Sequence, residues 1–298
     1  MKCLVTGGAG FVGSNLVDEL IRRGHEVVII DNLSTGKREN INPDAKFYEV
    51  DIESSDAAVA FPGVEAVFHT AAKARVQPSI EDPLSYNKTN VEGTLNMLKM
   101  AVDHGVRRFI YSASSSAYGN TDKLPQQETD PTSPLSPYGV QKLVGELYCT
   151  MFAHVYDIET VSLRYFNIYG ERQSLEGAYC LVMGIFARQR LQGVPLTING
   201  DGKQSRDFTY VGDVVKANIL AATSPNVGNG EVINIGNGNN RSVNQIADMI
   251  GGERIHGPAV VEPNSTLADN SKARELLGWK PTMIIEDWVK EYKKELGI

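Results

Sequence analysis

Cysteine is scarce in this chain of 298 residues. The three cysteines, Cys3, Cys149 and Cys180, lie far apart in apolar surroundings, and none has C-x-x-C spacing. This pattern excludes a disulfide framework and indicates buried free thiols in a reducing compartment. The five histidines do not fall at metal-ligand spacing, so no metal site is expected.

Long apolar runs and clusters of basic residues are also missing. No apolar stretch approaches the roughly 18 residues that a membrane span requires. The opening MKCLVTGG is too short for a signal peptide. The formal net charge is -7 with acidic and basic residues interleaved, a distribution that repels nucleic acid. We therefore expect a cytoplasmic protein that binds neither membrane nor nucleic acid.

The chain does contain short apolar runs that alternate with helix-like segments. KCLV, EVVII, EAVFHT and RRFIYSA are such runs, and the pattern predicts single long helices over 83–104 and 137–156. Apolar strands joined by helices are typical of a parallel sheet covered on both faces. The predicted fold class is α/β, a Rossmann-type doubly wound parallel sheet with a smaller C-terminal α+β substrate domain.

Two interleaved domains are predicted. The alternating pattern covers residues 1–167, and beyond it the loops lengthen and the helices shorten through 168–298. Residues 206–235 again resemble a strand-then-helix unit, so this segment is expected to return to the first domain.

The glycines of TGGAGFVGS lie between an apolar run and a helix-like segment. Gly7, Gly10 and Gly13 allow a tight turn and a close approach of backbone to a pyrophosphate, whose charge the helix N-terminus favours. Taken alone, the motif is equally compatible with a simple strand-to-helix connection.

Residues at the following strand ends favour a dinucleotide. Asp31 follows EVVII, 18 residues after Gly13, where a carboxylate accepts hydrogen bonds from an adenosine ribose. A carboxylate there disfavours a 2′-phosphate, so NAD is preferred over NADP. Asp51 and Ile52 are predicted to end the next strand and to border adenine. Small residues after the fourth strand, Ala71 and Ala72, permit close approach to the cofactor.

A tyrosine and a lysine follow at helical spacing. Tyr138 and Lys142 are four residues apart in SPYGVQK and share one helix face. A free tyrosine is a poor base near neutrality, but a nearby ammonium and an oxidised nicotinamide lower its pKa. The alternative is an amphipathic helix with both residues on its flank. Serines in YSASSSAYG favour the catalytic reading.

These motifs resemble one family along nearly the whole chain. TGGAGFVGS, DNLSTG, HTAA, NVEGT, SSSAYG, YGVQK, LRYFNIYG, RDFTYV and LADNSKARELLGW occur in the order found in extended short-chain dehydrogenase/reductases, specifically the NAD-dependent sugar-nucleotide epimerases and dehydratases. The resemblance implies NAD contacts at Gly7, Gly10, Phe11, Val12, Gly13, Asp31, Asn32, Ser34, Thr35, Gly36, Asp51, Ile52, Ala71, Ala72, Asn90, Tyr138, Lys142 and Tyr165.

The resemblance also implies catalytic roles. Tyr138 is the base, Lys142 orients the nicotinamide ribose and tunes Tyr138, and Ser114 supports the sugar 4-hydroxyl. Ser115 and Ser116 occupy the positions of the Asp and Glu that drive loss of water in the dehydratases. The resemblance therefore implies a UDP-hexose 4-epimerase that works through a transient 4-keto sugar.

Substrate residues are implied in the same way. Arg206 and Asn167 match residues that contact the diphosphate, Tyr179 matches one that borders the nucleobase, and Ser115, Ser116, Lys73 and Arg75 lie near the sugar. An arginine usual in the family before AD-x-SKA is missing here, so the second diphosphate cation is absent or comes from elsewhere, with Arg241 and Arg254 as candidates. Thr266 stands where a tyrosine restricts related enzymes to non-acetylated hexoses, which implies room for an N-acetyl group.

Other readings stay open. Lys73 and Arg75 would suit a uronic acid, and an oxidoreductase, a dehydratase or a decarboxylase of a sugar nucleotide is a further alternative. A binding protein that uses NAD as a redox sensor belongs to another class. Two long helices with broad apolar faces are expected to form a homodimer interface, as they often do in the family.

Overall fold

The structure is a computed structural model that describes residues 1–174, 181–260 and 262–298. The strands are β1 Lys2–Thr6, β2 Glu26–Ile30, β3 Lys46–Tyr48, β4 Ala66–His69, β5 Arg108–Ser114, β6 Glu159–Tyr165, β7 Ile168–Tyr169, β8 Leu196–Asn199, β9 Ser205–Asp207, β10 Thr209–Tyr210, β11 Asn229–Ile235, β12 Asn240–Ser242 and β13 Arg254–Gly257. The helices are α1 Phe11–Arg22, α2 Val76–Glu81, α3 Pro83–Asn87, α4 Thr94–Asp103, α5 Pro137–Val155, α6 Val182–Leu191, α7 Val211–Thr223, α8 Val243–Ile250, α9 Ser271–Leu277 and α10 Ile285–Leu296.

A seven-stranded parallel sheet organises the chain. Its strand order is β11-β6-β5-β4-β1-β2-β3, and every neighbouring pair is parallel. The order reverses beside β1, between the β1–β2–β3 half and the β4–β5–β6 half. Open α/β sheets bind ligands at such a reversal. The predicted fold class is confirmed.

Two hydrophobic cores lie on opposite faces of this sheet because successive strand side chains alternate in direction. Cys3 and Val5 of β1 pack into the core that holds α1 and α7, whereas Leu4 packs into the core that holds α4 and α5. Coverage on both faces explains why these strands are apolar without polar alternation. Trp279 belongs to the first core, and its Nε1 donates to the carbonyl of Asp213 at 2.8 Å.

A third core supports the C-terminal region. Phe186 of α6, Ile198 of β8, Ile246 of α8 and Trp288 of α10 pack together there. The small sheets in this part of the chain have two strands each. Residues 229–235 instead form β11 at the edge of the large sheet, where it pairs with β6. The division at residue 167 remains a prediction.

The helix expected over 83–104 is not uniform. It contains a π-helical turn, Lys88–Gly93, between α3 and α4. Gly93 lets this turn approach Ile52, whose Cδ1 would lie 2.7 Å from an added Cβ. The predicted helical segment is present over Pro83–Asp103, and the sequence did not specify its π-helical middle turn, which holds a close packing contact and a buried side chain.

That buried side chain is Asn90, which bridges two elements. Its Oδ1 accepts from the amide of Lys73 at 2.8 Å, and its Nδ2 donates to the Lys73 carbonyl at 2.9 Å and to Gln141 Oε1 at 3.0 Å. Asn90 therefore ties the loop after β4 to α5. None of the helices in the described part of the chain is long and apolar enough to cross a bilayer.

We predict that Asn90→Ala destabilises the protein by about 3 kcal/mol, because the buried polar groups of Lys73 and Gln141 lose their partner. Chemical denaturation measures the change. Asn87→Ala is the matched control, since Asn87 is exposed in the preceding turn. Equal losses in the two variants would show that the bridge contributes nothing specific.

Candidate active site

The carboxyl ends of the strands open into a cleft of about 1760 Å³. The predicted residues that line it are Gly7, Gly10, Phe11, Val12, Gly13, Asp31, Asn32, Ser34, Thr35, Asp51, Ile52, Ala71, Ala72, Lys73, Arg75, Ser114, Ser115, Ser116, Tyr138, Lys142, Tyr165, Asn167, Arg206 and Thr266. Gly36 and Asn90 lie outside this lining, and Tyr179 lies outside the described residues. Segments remote in sequence thus converge on one space.

The glycine turn has the close packing that a dinucleotide fingerprint needs. Gly7 has φ 72°, and a Cβ on Gly13 would lie 2.1 Å from the Gly7 carbonyl oxygen. Helix α1 begins directly after Gly10, and no side chain caps its N-terminus. Its first amides are therefore available for a phosphate group. This turn fits the pyrophosphate of a dinucleotide.

Asp31 joins this turn to the next loop. Its Oδ2 accepts from the amide of Ala9 at 3.0 Å, and its Oδ1 accepts from the amide of Leu33 at 2.8 Å. Burial raises the pKa of this carboxyl, and the two amide bonds oppose that rise. Gly36 packs against the carboxylate, whose oxygens would lie 2.8 Å from an added Cβ. In this structure Gly36 supports Asp31 and does not line the cleft.

The third strand is shorter than expected. β3 ends at Tyr48, so Asp51 and Ile52 lie in the following loop, although both still line the cleft. Asn32 Nδ2 donates to Asp51 Oδ2 at 2.8 Å. This bond connects the loops after β2 and β3.

Tyr138 lies in the first turn of α5. Ser136 caps this helix by accepting from the Gly139 amide at 3.1 Å, and Pro137 begins it with a favourable backbone angle. The amide of Tyr138 donates to Ser79 Oγ of α2 at 3.2 Å. These contacts fix where the helix starts and so place the phenol in the cleft.

Ser114 is held by two hydrogen bonds from Ser116 and lies near Tyr138. Ser114 Oγ accepts from the amide of Ser116 at 3.2 Å and from Ser116 Oγ at 2.9 Å. Ser114 also lowers the pKa of the Tyr138 phenol, and both side chains line the cleft.

Lys142 lies one turn beyond Tyr138, as predicted, and is buried. Its Nζ donates to the carbonyl of Ser112 at 2.8 Å and lies 5.0 Å from the centre of the Tyr111 ring. Burial lowers the pKa of Lys142 to about 8, and Glu146 opposes that change. The lysine is therefore close to its own titration range near neutrality.

Arg75 also acts on Tyr138. Desolvation raises the pKa of the Tyr138 phenol, and nearby Ser114 and the Arg75 charge both lower it. The lowering expected from Lys142 stays a prediction, and Arg75 is a further positive charge that acts on the phenol. Arg75 precedes α2 with φ 108°, a strained backbone angle for a residue with a side chain.

The opposite wall of the cleft carries Arg206 and Thr266. Arg206 is buried and pairs with Glu262, not with the neighbouring Asp201 or Asp207. Thr266 Oγ1 accepts from the amide of Asp207 at 3.2 Å. Asn167 reaches the same region because its carbonyl accepts from the amide of Thr209 at 2.9 Å.

Both candidate replacements for the missing arginine lie outside the cleft. Arg241 pairs with Glu286 and Arg254 pairs with Asp248, and neither lines the cleft. Sequence reasoning missed six charged residues of the lining, which are Lys37, Glu39, Glu53, Lys88, Arg172 and Glu262. Arg172 lies two residues after LRYFNIYG, so its place after a strand end was the available signal.

A dinucleotide site at a strand-order reversal, beside a Tyr–Lys–Ser group, defines an enzyme of the short-chain dehydrogenase/reductase type. Comparison with known proteins narrows this class. Residues 3–236 match the profile of the NAD dependent epimerase/dehydratase family. The chain belongs to this family, which confirms the resemblance and NAD as the cofactor.

Several relatives match over almost their whole length. A UDP-glucose 4-epimerase of Mycolicibacterium smegmatis is 36% identical over 304 residues, which cover 97% of this chain and 96% of the relative. The crystal structure of a UDP-glucose 4-epimerase with UDP-glucose from Thermotoga maritima has a TM-score of 0.92 and 40% identity, and the match covers 99% of this chain and 100% of that one. A UDP-N-acetylglucosamine 4-epimerase from Methanobrevibacter ruminantium, in complex with UDP-N-acetylmuramic acid, has a TM-score of 0.92 and 35% identity, and the match covers 98% and 97%.

We predict that Arg75→Gly raises the pKa of Tyr138, because the phenolate loses a stabilising positive charge. Ultraviolet difference titration against Tyr138→Phe in the same background isolates this tyrosine. Arg75→Lys keeps the charge and is the control. Glycine also relieves backbone strain of about 1–3 kcal/mol, so the melting temperature should not fall. If Tyr138 titrates at the same pH in Arg75→Gly as in the unaltered protein, the Arg75 charge does not act on this phenol.

Proposed function

We propose that this protein is an NAD-dependent UDP-sugar 4-epimerase. The observation that carries the proposal is that Ser114, Tyr138 and buried Lys142 line one cleft beside the glycine turn of the dinucleotide site. Serines occupy positions 115 and 116, so these positions hold no carboxylic acid to drive elimination of water. Relatives named as UDP-sugar 4-epimerases, with cognate sugar nucleotides bound, support the same reaction.

Bound NAD⁺ would supply the reversible two-electron acceptor that oxidation at the sugar C4 requires. Gly7, Gly10 and Gly13 would hold its pyrophosphate at the start of α1, and Asp31 would hold its adenosine ribose. Tyr138 Oη accepts the proton of the sugar 4-hydroxyl and returns it after the ring has turned over. Ser114 donates a hydrogen bond that keeps the two oxygens aligned.

Lys142 and Arg75 provide the positive charge that makes this proton transfer possible. Desolvation alone would keep the phenol neutral. A charged Lys142, one turn along the helix, and Arg75, directly before α2, both favour the phenolate. Two cations from different elements therefore favour the deprotonated form of Tyr138, the proposed base.

The opposite wall would bind the diphosphate and the sugar. Arg206 presents a guanidinium suited to phosphate oxygens, and Asn167 lies beside it in the cleft. Thr266 leaves space that a tyrosine ring would fill. We assign the hexose and the N-acetylhexosamine of UDP as substrates on this basis.

A uronic acid is the second candidate substrate. Lys73 and Arg75 both line the cleft, and a sugar carboxylate would be attracted to their charges. Lys73 Nζ also donates to Ser85 Oγ, which leaves its positive charge in place. Under this alternative the same Tyr138 chemistry applies.

We further propose a cytoplasmic homodimer whose first domain, 1–167 with 206–235, binds NAD. Helix α5 exposes apolar side chains along one face, at Val140, Leu147 and Val155. Leu84 of α3 is also largely exposed. Exposed apolar faces on neighbouring helices suit a two-fold interface. Cys3 and Cys149 are buried free thiols, as a reducing compartment favours.

Tyr138→Phe tests the function. We expect proton NMR of the unaltered protein with UDP-glucose to show the anomeric signal of the 4-epimer, with NAD⁺ added if none is retained. The variant should lose at least about a thousandfold in turnover while still binding NAD. An NAD-binding sensor without turnover predicts instead that neither protein forms product and that the variant keeps its ligand response.

Thr266→Tyr tests the sugar pocket. We expect the unaltered protein to convert both UDP-glucose and UDP-N-acetylglucosamine, and the variant to retain activity only with UDP-glucose. The same NMR assay measures both rates. Thr266→Ser is the control because it keeps the hydroxyl that accepts from Asp207. Undiminished N-acetyl activity in the tyrosine variant would show that this residue does not limit substrate size.

A further inference from the structure

A buried ion pair lies directly behind the catalytic lysine. Glu146 follows Lys142 by one turn of α5, and Arg164 lies in β6. Arg164 Nε donates to Glu146 Oε1 at 2.9 Å, and its terminal nitrogen donates to Oε2 at 2.7 Å. Both side chains are about 95% buried, with 5% and 3% exposed.

The arginine is held rigidly from its other side. Its guanidinium lies 4.6 Å from the centre of the Tyr118 ring. Tyr118 Oη donates to Asn234 Oδ1 of β11 at 2.7 Å. The pair is thus anchored to two strands of the large sheet and presents the carboxylate to α5 in a fixed orientation.

Stability alone does not explain such a pair. Removing two charges from water costs several kcal/mol each, and a well-packed apolar pair is often as stable or more so. The reaction chemistry assigned above to Tyr138 and Lys142 does not use Glu146 or Arg164 directly. Their burial next to the site therefore indicates an effect on a neighbouring group.

The Glu146 carboxylate stabilises the charged form of its neighbour Lys142. Its surroundings from other elements are the Ser112 carbonyl and Tyr111 ring of β5 and His69 of β4. Burial raises the pKa of Tyr111 and lowers the pKa of His69 to about 3, so both are neutral. On α5 itself, burial raises the pKa of Cys149 to about 12, and Tyr138 is the remaining titratable neighbour. Among these described neighbours, Glu146 carries the negative charge.

We propose that the Glu146–Arg164 pair is a positioning device that keeps Lys142 charged and directed at the cleft. Arg164 holds the carboxylate ionised and in place, and the carboxylate stabilises the lysine ammonium through the helix. This inference rests on the proposed function, in which Lys142 must be an ammonium to favour the Tyr138 phenolate.

The sign of the effect follows from the charges. Burial lowers the pKa of Lys142, and the Glu146 charge opposes this fall. Loss of the carboxylate therefore lets Lys142 release its proton at lower pH. The alkaline decline of kcat/KM should then begin at lower pH, whereas activity at mildly acidic pH, where the lysine stays charged, should change little.

Three variants test the proposal. Glu146→Gln removes the carboxylate, and Glu146→Leu with Arg164→Met removes both charges and leaves no unpaired arginine. Glu159→Gln is the matched control, since Glu159 also accepts from a buried arginine, Arg108 at 2.7 Å, but at the opposite end of β6. The pH profile of kcat/KM for UDP-glucose, NAD affinity and the melting temperature are measured for each.

We expect both Glu146 variants to lose about tenfold in kcat/KM at about pH 9 and less than about twofold at about pH 6. Glu159→Gln should lower the melting temperature without altering the profile. A stable double variant with an unaltered profile would overturn the proposal and leave the pair a structural role only.

Failure of the proposed function gives a different result. If the unaltered protein converts no UDP-sugar, the pH dependence of NAD affinity replaces kcat/KM, because Lys142 lines the same cleft. An alkaline loss of NAD affinity that moves to lower pH in both Glu146 variants supports the positioning role independently of the substrate. If NAD affinity is lost at the same alkaline pH in the variants as in the unaltered protein, the positioning role is contradicted.

Discussion

Burial of a parallel sheet on both faces is the constraint on which this structure depends. Parallel strands leave no face for water, so helices must cover each side. The crossovers that bring those helices return every strand in the same direction, and all carboxyl ends meet at one edge. Residues as distant as Gly7, Asp31, Ser114 and Asn167 therefore line one cleft. The position of the site therefore follows from the way helices cover both faces of the sheet.

Within this fold, hydrogen bonds orient the side chains of the proposed active site. Ser116 donates to Ser114 Oγ from both its amide and its hydroxyl, and Ser114 lowers the pKa of the Tyr138 phenol. Asn90 fixes the loop that carries Arg75 by holding the peptide groups of Lys73. These partly buried bonds hold the side chains in defined orientations. The catalytic geometry is therefore supported by residues that need not touch a substrate.

Charges in the cleft are also offset locally. The protein has a net charge of -7, and its cleft nevertheless holds cations, among them Arg75, Lys142 and Arg206. Arg206 pairs with Glu262, and the Glu146 charge favours the ammonium form of Lys142. The Arg75 charge lowers the pKa of the Tyr138 phenol.

The sequence by itself determined the features that depend on local pattern. The strand-turn-helix glycines, the spacing of Tyr138 and Lys142 and the apolar runs specify the fold class and most of the cleft lining, because the constraint behind each lies within a few residues. Tertiary structure decided the rest. The π turn at Lys88–Gly93, the partner of Arg206, the exclusion of Arg241 and Arg254 from the cleft and the Glu146–Arg164 pair join residues far apart in the chain. No local pattern encodes such contacts, since their energy arises only when the packed elements exclude water.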